Sequence, residues 1–250
     1  MQTHALVAAD AHLDGMNQEL DIFLAFLTFV RENSIKTLYL LGDLFTIWLG
    51  TPKFTLPHHS AVIQALSALK EAGTQVNYVE GNRDYFLAPR YLNKPFYQIG
   101  SESLQETIGE KRFYFAHGDL VNVYDRPYRL WRGLSRNPWL FSLFRAIPRP
   151  VAISLAQYLE QQFQATNQQH KASFPETVCR MYAEERWKAG IDMIILGHFH
   201  EAQAFSAPVN GKSHTLQVLP AWKDTHEYLV IDEEGNFALR GFSQIRRQNV

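Results

Sequence analysis

Five short apolar runs in this chain each end in a side chain that can bind a metal ion. The runs alternate with stretches of helical periodicity, and this alternation is typical of an α/β protein whose strands share a sheet. The last run is the clearest, because it leads through Gly197 into His198 and His200. Neutral imidazole is a common ligand of divalent transition metals, so the pattern predicts a metal site where the strands end.

The periodicity of apolar residues predicts the individual elements. The predicted strands are Ala5–Ala9, Thr37–Leu41, Gln75–Val79, Ser103–Ile108, Arg112–Ala116 and Met193–Leu196, with helices at about 20–30 and 60–72. Four further runs, at 202–205, 214–219, 228–231 and 237–240, are predicted to form antiparallel strands. The chain is therefore expected to be an α/β domain with an antiparallel C-terminal part.

One long segment interrupts the alternation of strands and helices. From about Val123 to Lys188 the pattern is helical, and prolines divide it into short pieces. We expect a core formed by residues 1–122 and 190–250, with residues 123–189 inserted as a helical cap.

Composition limits the classes of function. The net charge is −1, with 46% hydrophobic and 20% charged residues, which argues against nucleic acid as a partner. The single cysteine, Cys179, excludes an intrachain disulfide and suits a reducing compartment. Neither a signal peptide nor a membrane-spanning run is apparent, so a cytoplasmic location is expected. No protein partner is evident.

The polar side chains at the strand ends form one candidate set of ligands. Its members are Asp10, His12, Asp43, Asn82, His117, His198 and His200. In α/β sheets ligands collect at the carboxyl ends of the strands, and seven donors are too many for one ion. Two divalent ions, with Asp43 shared between them, suit displacement at phosphorus. Mixed carboxylate, imidazole and amide donors are compatible with Mn, Fe, Zn or Co, and the residues alone do not select one of them. Taken singly, each residue also has an ordinary role in a turn, a helix cap or packing.

The motifs Asp10-x-His12, Gly42-Asp43, Gly81-Asn82, His117-Gly118-Asp119 and Gly197-His198-Phe199-His200 resemble those of the calcineurin-like metallophosphoesterase family. The resemblance implies a four-layer αββα sandwich of two mixed sheets flanked by helices. It also implies one metal on Asp10, His12, Asp43 and His200, and the other on Asp43, Asn82, His117 and His198. Catalytic roles follow for Asp43, Asn82, Arg83 and His198.

A second set of motifs consists of Gly81-Asn82-Arg83-Asp84-Tyr85, Gly42-Asp43-Leu44-Phe45-x-x-Trp48-x-Gly50, Pro138-Trp139-Leu140 and Ala221-Trp222. This set is similar to that of the branch of the family that hydrolyses UDP-2,3-diacylglucosamine in lipid A biosynthesis. Many members of the family carry a histidine at the position of Arg83, and an arginine there is suited to binding a diphosphate. Asn82, Arg83, Asp125, Tyr128 and His198 would then contact the substrate. The segment 157–163 departs from that branch, being acidic and glutamine-rich, and leaves Lys171 and Ser173 as further candidates. The alternatives are another phosphoesterase of the family, acting on a different nucleotide or lipid phosphoester, and a non-catalytic lipid-binding protein at the membrane surface.

The predicted cap is basic and aromatic. Six arginines, at 126, 129, 132, 136, 145 and 149, fall in a segment without acidic residues and alternate with large apolar side chains. Such a helix can lie on an anionic membrane, which would place the protein at the periphery of the cytoplasmic face of the inner membrane. The same composition also suits a groove for acyl chains, or a cap that packs its aromatic residues onto the core.

Overall fold

The computed structural model describes residues 3–14, 18–155, 158 and 174–242. The strands are β1 Thr3–Ala8, β2 Thr37–Leu41, β3 Trp48–Leu49, β4 Gln75–Val79, β5 Asp84–Tyr85, β6 Gln98–Gly100, β7 Ser103–Ile108, β8 Lys111–Ala116, β9 Met193–Leu196, β10 Gln203–Val209, β11 Lys212–Val218, β12 Glu227–Asp232 and β13 Phe237–Gly241. The helices are α1 Glu19–Glu32, α2 Pro57–Glu71, α3 Ala88–Tyr91, α4 Arg126–Ser135, α5 Pro138–Ala146, α6 Glu176–Lys188 and α7 Trp222–Thr225. A 3-10 helix spans Pro52–Phe54, and residues 149–155 are also helical.

Two mixed sheets make up the centre of the fold. The first has the order β13-β12-β1-β2-β4-β6, in which β1, β2, β4 and β6 run parallel and β12 runs antiparallel to β1. The second has the order β10-β11-β9-β8-β7, in which β9 is parallel to both neighbours. The carboxyl ends of the parallel strands therefore lie together at one edge of each sheet.

Alternation along the strands assigns each side chain to a layer, because successive residues of a strand point to opposite faces. In β1, Ala5 and Val7 pack between the two sheets, in one cluster with Phe113 and Ile195. The intervening Leu6 packs on the outer face, against helical residues. A strand buried on both faces needs apolar residues throughout, and this explains the continuous apolar runs of the sequence.

Helices cover both outer faces of the pair of sheets. On the first sheet, Phe26 of α1 and Trp222 of α7 lie with their ring centroids 4.5 Å apart, in a cluster that also contains residues of α2. On the second sheet, α6 buries Cys179 and Trp187 against Ile194. This arrangement confirms the predicted four-layer αββα sandwich. The outer layer on the second sheet is formed by a helix within the segment 123–189.

Several details differ from the sequence-based expectations. The strand β11 pairs antiparallel with β10 but parallel with β9, so the C-terminal part is not wholly antiparallel. The short strand β6 was not predicted, because three residues carry too little periodicity to be recognised. Strand β1 begins two residues earlier than expected, at Thr3. Of the helices in the described part of the chain, none is both long and apolar enough to cross a membrane.

Candidate metal centre

The candidate ligands lie in loops that leave the carboxyl ends of five strands. Asp10, Asp43 and Asn82 follow β1, β2 and β4, which are neighbours in the first sheet. His117 follows β8, and His198 follows the adjacent β9 of the second sheet. The two sheets face each other, so the loops meet over one end of the sandwich.

The backbone of these loops is unusual. Asp10, His12, Asp43, His198 and His200 all have positive φ angles, between 45° and 72°. Side chains other than glycine rarely adopt this conformation, which costs of order 1–3 kcal/mol per residue and concentrates at functional sites. The surrounding structure therefore compensates for strain in order to hold these side chains in place.

A first group of side chains surrounds Asp10. Its Oδ1 lies 3.4 Å from His200 Nε2 and 3.7 Å from His12 Nε2, and the two imidazole nitrogens are 3.2 Å apart. The other carboxylate oxygen, Oδ2, accepts a hydrogen bond of 2.7 Å from the backbone N–H of His198. Asp10 Oδ1 is buried with no hydrogen-bond partner. A buried carboxylate oxygen without a donor is costly, and a cation between these side chains would satisfy it.

A second group gathers around Asn82. Its Oδ1 lies 3.0 Å from His117 Nε2 and 3.1 Å from His198 Nδ1, while His117 Nε2 is 3.8 Å from Asp43 Oδ1. The other nitrogen of His117, Nδ1, donates to the carbonyl oxygen of Leu41 at 2.8 Å. That bond holds the ring with Nε2 directed towards Asn82 and Asp43, as is usual for a histidine that binds metal.

The electrostatics of the centre favour positive charge. Burial lowers the pKa of His117, but the carboxylates of Asp43, Asp10 and Asp119 outweigh it and raise the value to about 9. Burial and the neighbouring His117 lower the pKa of His198 to about 3, so this imidazole is neutral and able to bind a metal. Carboxylates that stabilise a proton on His117 also attract divalent cations, because both carry positive charge.

The donors fit two divalent ions. Ligand atoms of Asp10, His12 and His200 lie within 4.8 Å of one another, as do those of Asp10, Asp43 and His117. Carboxylate, imidazole and amide donors together suit Mn, Fe, Zn or Co. Asp10 belongs to both of these sets of three residues, whereas the bridging role of Asp43 stays a prediction.

Asp84 organises the loops, and the sequence did not reveal this role. Its carboxylate is fully buried and accepts hydrogen bonds from the N–H of Asp43 at 2.6 Å, the N–H of Gly81 at 3.2 Å and the hydroxyl of Tyr78 at 2.7 Å. Burial, and then the charge of Asp43, raise its pKa to about 7. The three-residue spacing from Gly81 to Asp84 is a turn signal that could have suggested this role.

Arg83 lies against the carboxylate of Asp43, beside the second group of ligands. Its Nε is 3.4 Å from Asp43 Oδ2, and its backbone N–H donates to Asp43 Oδ1 at 2.9 Å. The guanidinium thus borders the centre, beside a cavity of about 390 Å³ whose lining includes His12 and Lys223.

The remaining predicted substrate residues lie on α4. Asp125 is the N-cap of this helix and accepts a bond of 3.0 Å from the N–H of Tyr128. The Tyr128 hydroxyl donates to Asp119, two residues beyond His117. Contact of Asp125 and Tyr128 with a substrate stays a prediction. Lys171, Ser173 and the departing segment, apart from residue 158, lie outside the described residues.

The six arginines of the cap divide into two sets. Arg126, Arg129, Arg145 and Arg149 are exposed. The side chains of Arg132 and Arg136 are only 12% and 14% exposed, and they form ion pairs with Asp119 and Glu80 of the core. Arg132 and Arg136 are therefore not part of an outward-facing basic surface of the cap.

Comparisons with known proteins agree with this geometry. The model of the calcineurin-like phosphoesterase family matches residues 3–202. The chain is 32% identical to a UDP-2,3-diacylglucosamine hydrolase of Stenotrophomonas maltophilia (strain K279a), over 92% of this chain and 95% of that protein. It is 30% identical to a protein of the same name from Serratia proteamaculans (strain 568), over 88% and 91%. Among solved structures, a dimetal phosphatase from Danio rerio shares the fold, with 14% identity, a TM-score of 0.50 and coverage of 96% and 99%.

Proposed function

The chain belongs to the calcineurin-like phosphoesterase family, and we propose that it hydrolyses the diphosphate of UDP-2,3-diacylglucosamine to UMP and 2,3-diacylglucosamine 1-phosphate, a step of lipid A biosynthesis. The convergence of five strand-end loops on one cluster of oxygen and nitrogen donors supports the hydrolytic chemistry. The names of the relatives support the choice of substrate, because those proteins align with nearly the whole of this chain.

We assign the candidate ligands to two ions. Asp10, His12, Asp43 and His200 would hold one, and Asp43, Asn82, His117 and His198 the other, with Mn²⁺ as the proposed ion and Fe, Zn or Co as alternatives. When bound, such a pair neutralises charge on the phosphoryl oxygens and lowers the pKa of a water molecule.

Other side chains of the protein would contact the phosphate groups of the substrate. Arg83 offers a planar set of donors beside Asp43, and it would grip the non-bridging oxygens of the diphosphate with charge-assisted hydrogen bonds. The carbonyl oxygen of Asn82 faces His117 and His198, and its amide N–H groups would donate to a phosphoryl oxygen. His198, whose pKa burial lowers, would contact the same phosphoryl group as a neutral imidazole.

The cap provides a surface for an amphiphilic substrate. Leu130, Trp139 and Leu143 are 67%, 84% and 68% exposed, and the four exposed arginines lie in the same segment, 126–149. Exposed aromatic and aliphatic side chains beside arginines suit the interface of an anionic membrane. We therefore assign the protein to the cytoplasmic face of the inner membrane, as a peripheral protein.

The membrane contact is tested by co-sedimentation with vesicles that contain anionic lipid. Replacing Arg126 and Arg129 by Glu should reduce the bound fraction, because each basic residue near such a surface contributes about 1 kcal/mol. Arg180→Glu, an exposed change on α6, is the matched control. Equal sedimentation of the variant and the parent would reject the cap as the contact.

The activity is tested with metal-loaded protein and UDP-2,3-diacylglucosamine, by following the release of UMP, with a generic aryl phosphodiester in parallel. Rapid UMP release that a chelator abolishes is the expected result. Cleavage of the aryl ester alone would keep the phosphoesterase centre and replace the substrate by another nucleotide or lipid phosphoester. Retained lipid binding without turnover of either compound would instead favour a binding protein.

A further inference from the structure

One face of helix α4 carries three polar side chains at a constant spacing. Tyr128, Arg132 and the C-cap residue Arg136 are four residues apart, so they lie in a row along the helix. The whole helix has no fully buried residue, yet these three side chains turn towards the core. A row of this kind allows the helix to be attached to the core through polar contacts.

The first part of the row reaches the loop that follows β8. Tyr128 donates through its hydroxyl to Asp119 Oδ2. Arg132 Nε donates to the same oxygen at 3.0 Å, and its Nη2 donates to the carbonyl oxygen of Ser101 at 2.9 Å. Asp119 is buried and lies two residues after His117.

The last part of the row reaches the loop that follows β4. Arg136 Nη2 donates to the carbonyl oxygen of Gly81 at 2.6 Å, and Nη1 donates to Glu80 Oε2 at 3.0 Å. The other carboxylate oxygen of Glu80 accepts the N–H of Leu87 at 2.8 Å. Gly81 directly precedes Asn82, so a single guanidinium holds the peptide that carries this ligand.

Both contacted loops therefore supply ligands of the same proposed ion, through Asn82 and His117. Asn82 Oδ1 and His117 Nε2 are 3.0 Å apart, and a small shift of either loop changes that distance directly. The bonds involve charged groups in a largely buried place, where they are short and strong. Contacts that only attached the cap to the core would not need to involve the two loops that carry Asn82 and His117.

From these contacts we propose that Tyr128, Arg132 and Arg136 are positioning residues, which set the distance between Asn82 and His117 and so tune the affinity and reactivity of one of the two metal sites. The inference rests on the proposed metal centre but not on the identity of the substrate. Through these bonds, helix α4 connects the cap to the catalytic centre. Groups that orient metal ligands in this way typically change metal affinity or activity by about 10- to 100-fold when removed.

The test uses the full chain, stripped of metal with a chelator, and titration calorimetry with Mn²⁺. The variants are Arg136→Gln, which removes the charge, and Arg136→Lys, which keeps it. Arg180→Gln is the matched control, because it removes an exposed arginine that pairs with Glu176 at 2.7 Å on α6. Melting temperature without metal is recorded for every variant, to separate positioning from general stability.

We expect the parent to bind two ions and Arg136→Gln to weaken one of them by about 10- to 100-fold while the other is unchanged. The kcat should fall with the weakened site, KM should change little, and Arg136→Lys should recover part of both losses. Tyr128→Phe, which acts on the other loop, should weaken the same ion. If Arg136→Gln proves too unstable, Tyr128→Phe carries the test.

Several outcomes would overturn the inference. They are equal weakening of both ions, unchanged binding in both Arg136→Gln and Tyr128→Phe, and a loss in Arg180→Gln as large as in Arg136→Gln. A parent that binds no metal would reject the centre together with this inference. A parent that binds two ions but leaves UDP-2,3-diacylglucosamine intact would reject the substrate alone, and the calorimetric result would still decide the inference.

Discussion

Replacing Gly81 by alanine should disable the metal centre while leaving the fold largely intact. A Cβ at this position would lie 2.2 Å from Asp43 Oδ1 and 2.7 Å from the backbone nitrogen of Asp43. Ordinary contacts of a Cβ begin near 3.4 Å, so the carboxylate or its loop must shift by about 1 Å. The loop cannot yield easily, because Asp84 accepts the N–H groups of both Gly81 and Asp43.

The size of the effect follows from that displacement. A misplacement of about 1 Å at a reacting centre can reduce the rate about 100-fold. We therefore expect kcat/KM to fall by at least that factor in Gly81→Ala. Overpacking of a well-packed site costs about 1–3 kcal/mol of the free energy of unfolding, which a domain of this size tolerates.

The assay is UMP release by metal-loaded protein, together with metal content and melting temperature. Gly241→Ala in β13 is the control, because a Cβ there would meet nothing within 4 Å. Gly81→Ala with normal kcat/KM and two bound ions would refute the reasoning, since it would show that Asp43 Oδ1 need not be where the structure places it.

Three further predictions concern other residues. Asp43→Ala should abolish turnover and reduce the metal content, because it removes a buried ligand; normal activity would exclude Asp43 from the centre. Arg83→Ala should lower kcat by about 10- to 100-fold with both metals retained, since charged hydrogen bonds contribute about 1.5–3 kcal/mol each, and loss of metal would show that its role is misassigned. Gly133→Ala should raise the free energy of unfolding by up to about 1 kcal/mol, because this exposed position of α4 has free space for a methyl group, and a lower melting temperature would contradict a regular helix there.

The sequence predicted the ligand loops because each follows a strand whose last residues are buried on both faces. Such strands appear as continuous apolar runs, and the first polar side chain after a run marks the sheet edge. The positions of Asp10, Asp43 and His117 followed from this rule alone. Local pattern was sufficient here because the ligands lie within a few residues of the strands that place them.

Features that depend on distant parts of the chain could not be predicted in this way. The parallel pairing of β11 with β9 lies within the second sheet and joins two strands that β10 separates along the chain, and apolar alternation is the same for either direction of a strand. The division of the cap arginines into buried and exposed sets could not be predicted either, because Arg132 and Arg129 lie on the same helix with the same local composition. Their partners distinguish them, because Arg132 contacts Asp119 and the carbonyl oxygen of Ser101.

The glycines beside the ligands have a role that turn propensity does not reveal. A Cβ on Gly42 would lie 2.6 Å from His117 Nδ1, one on Gly81 would lie 2.2 Å from Asp43 Oδ1, and one on Gly197 would lie 2.7 Å from Asp10 Oδ2. In each case the obstructed atom belongs to a ligand on a different loop. The glycines are therefore required for close approach between loops, and the centre is compact because each loop packs directly against a ligand of another. It follows that a methyl group at any of the three positions would disturb the centre through a ligand that the substituted loop does not itself carry.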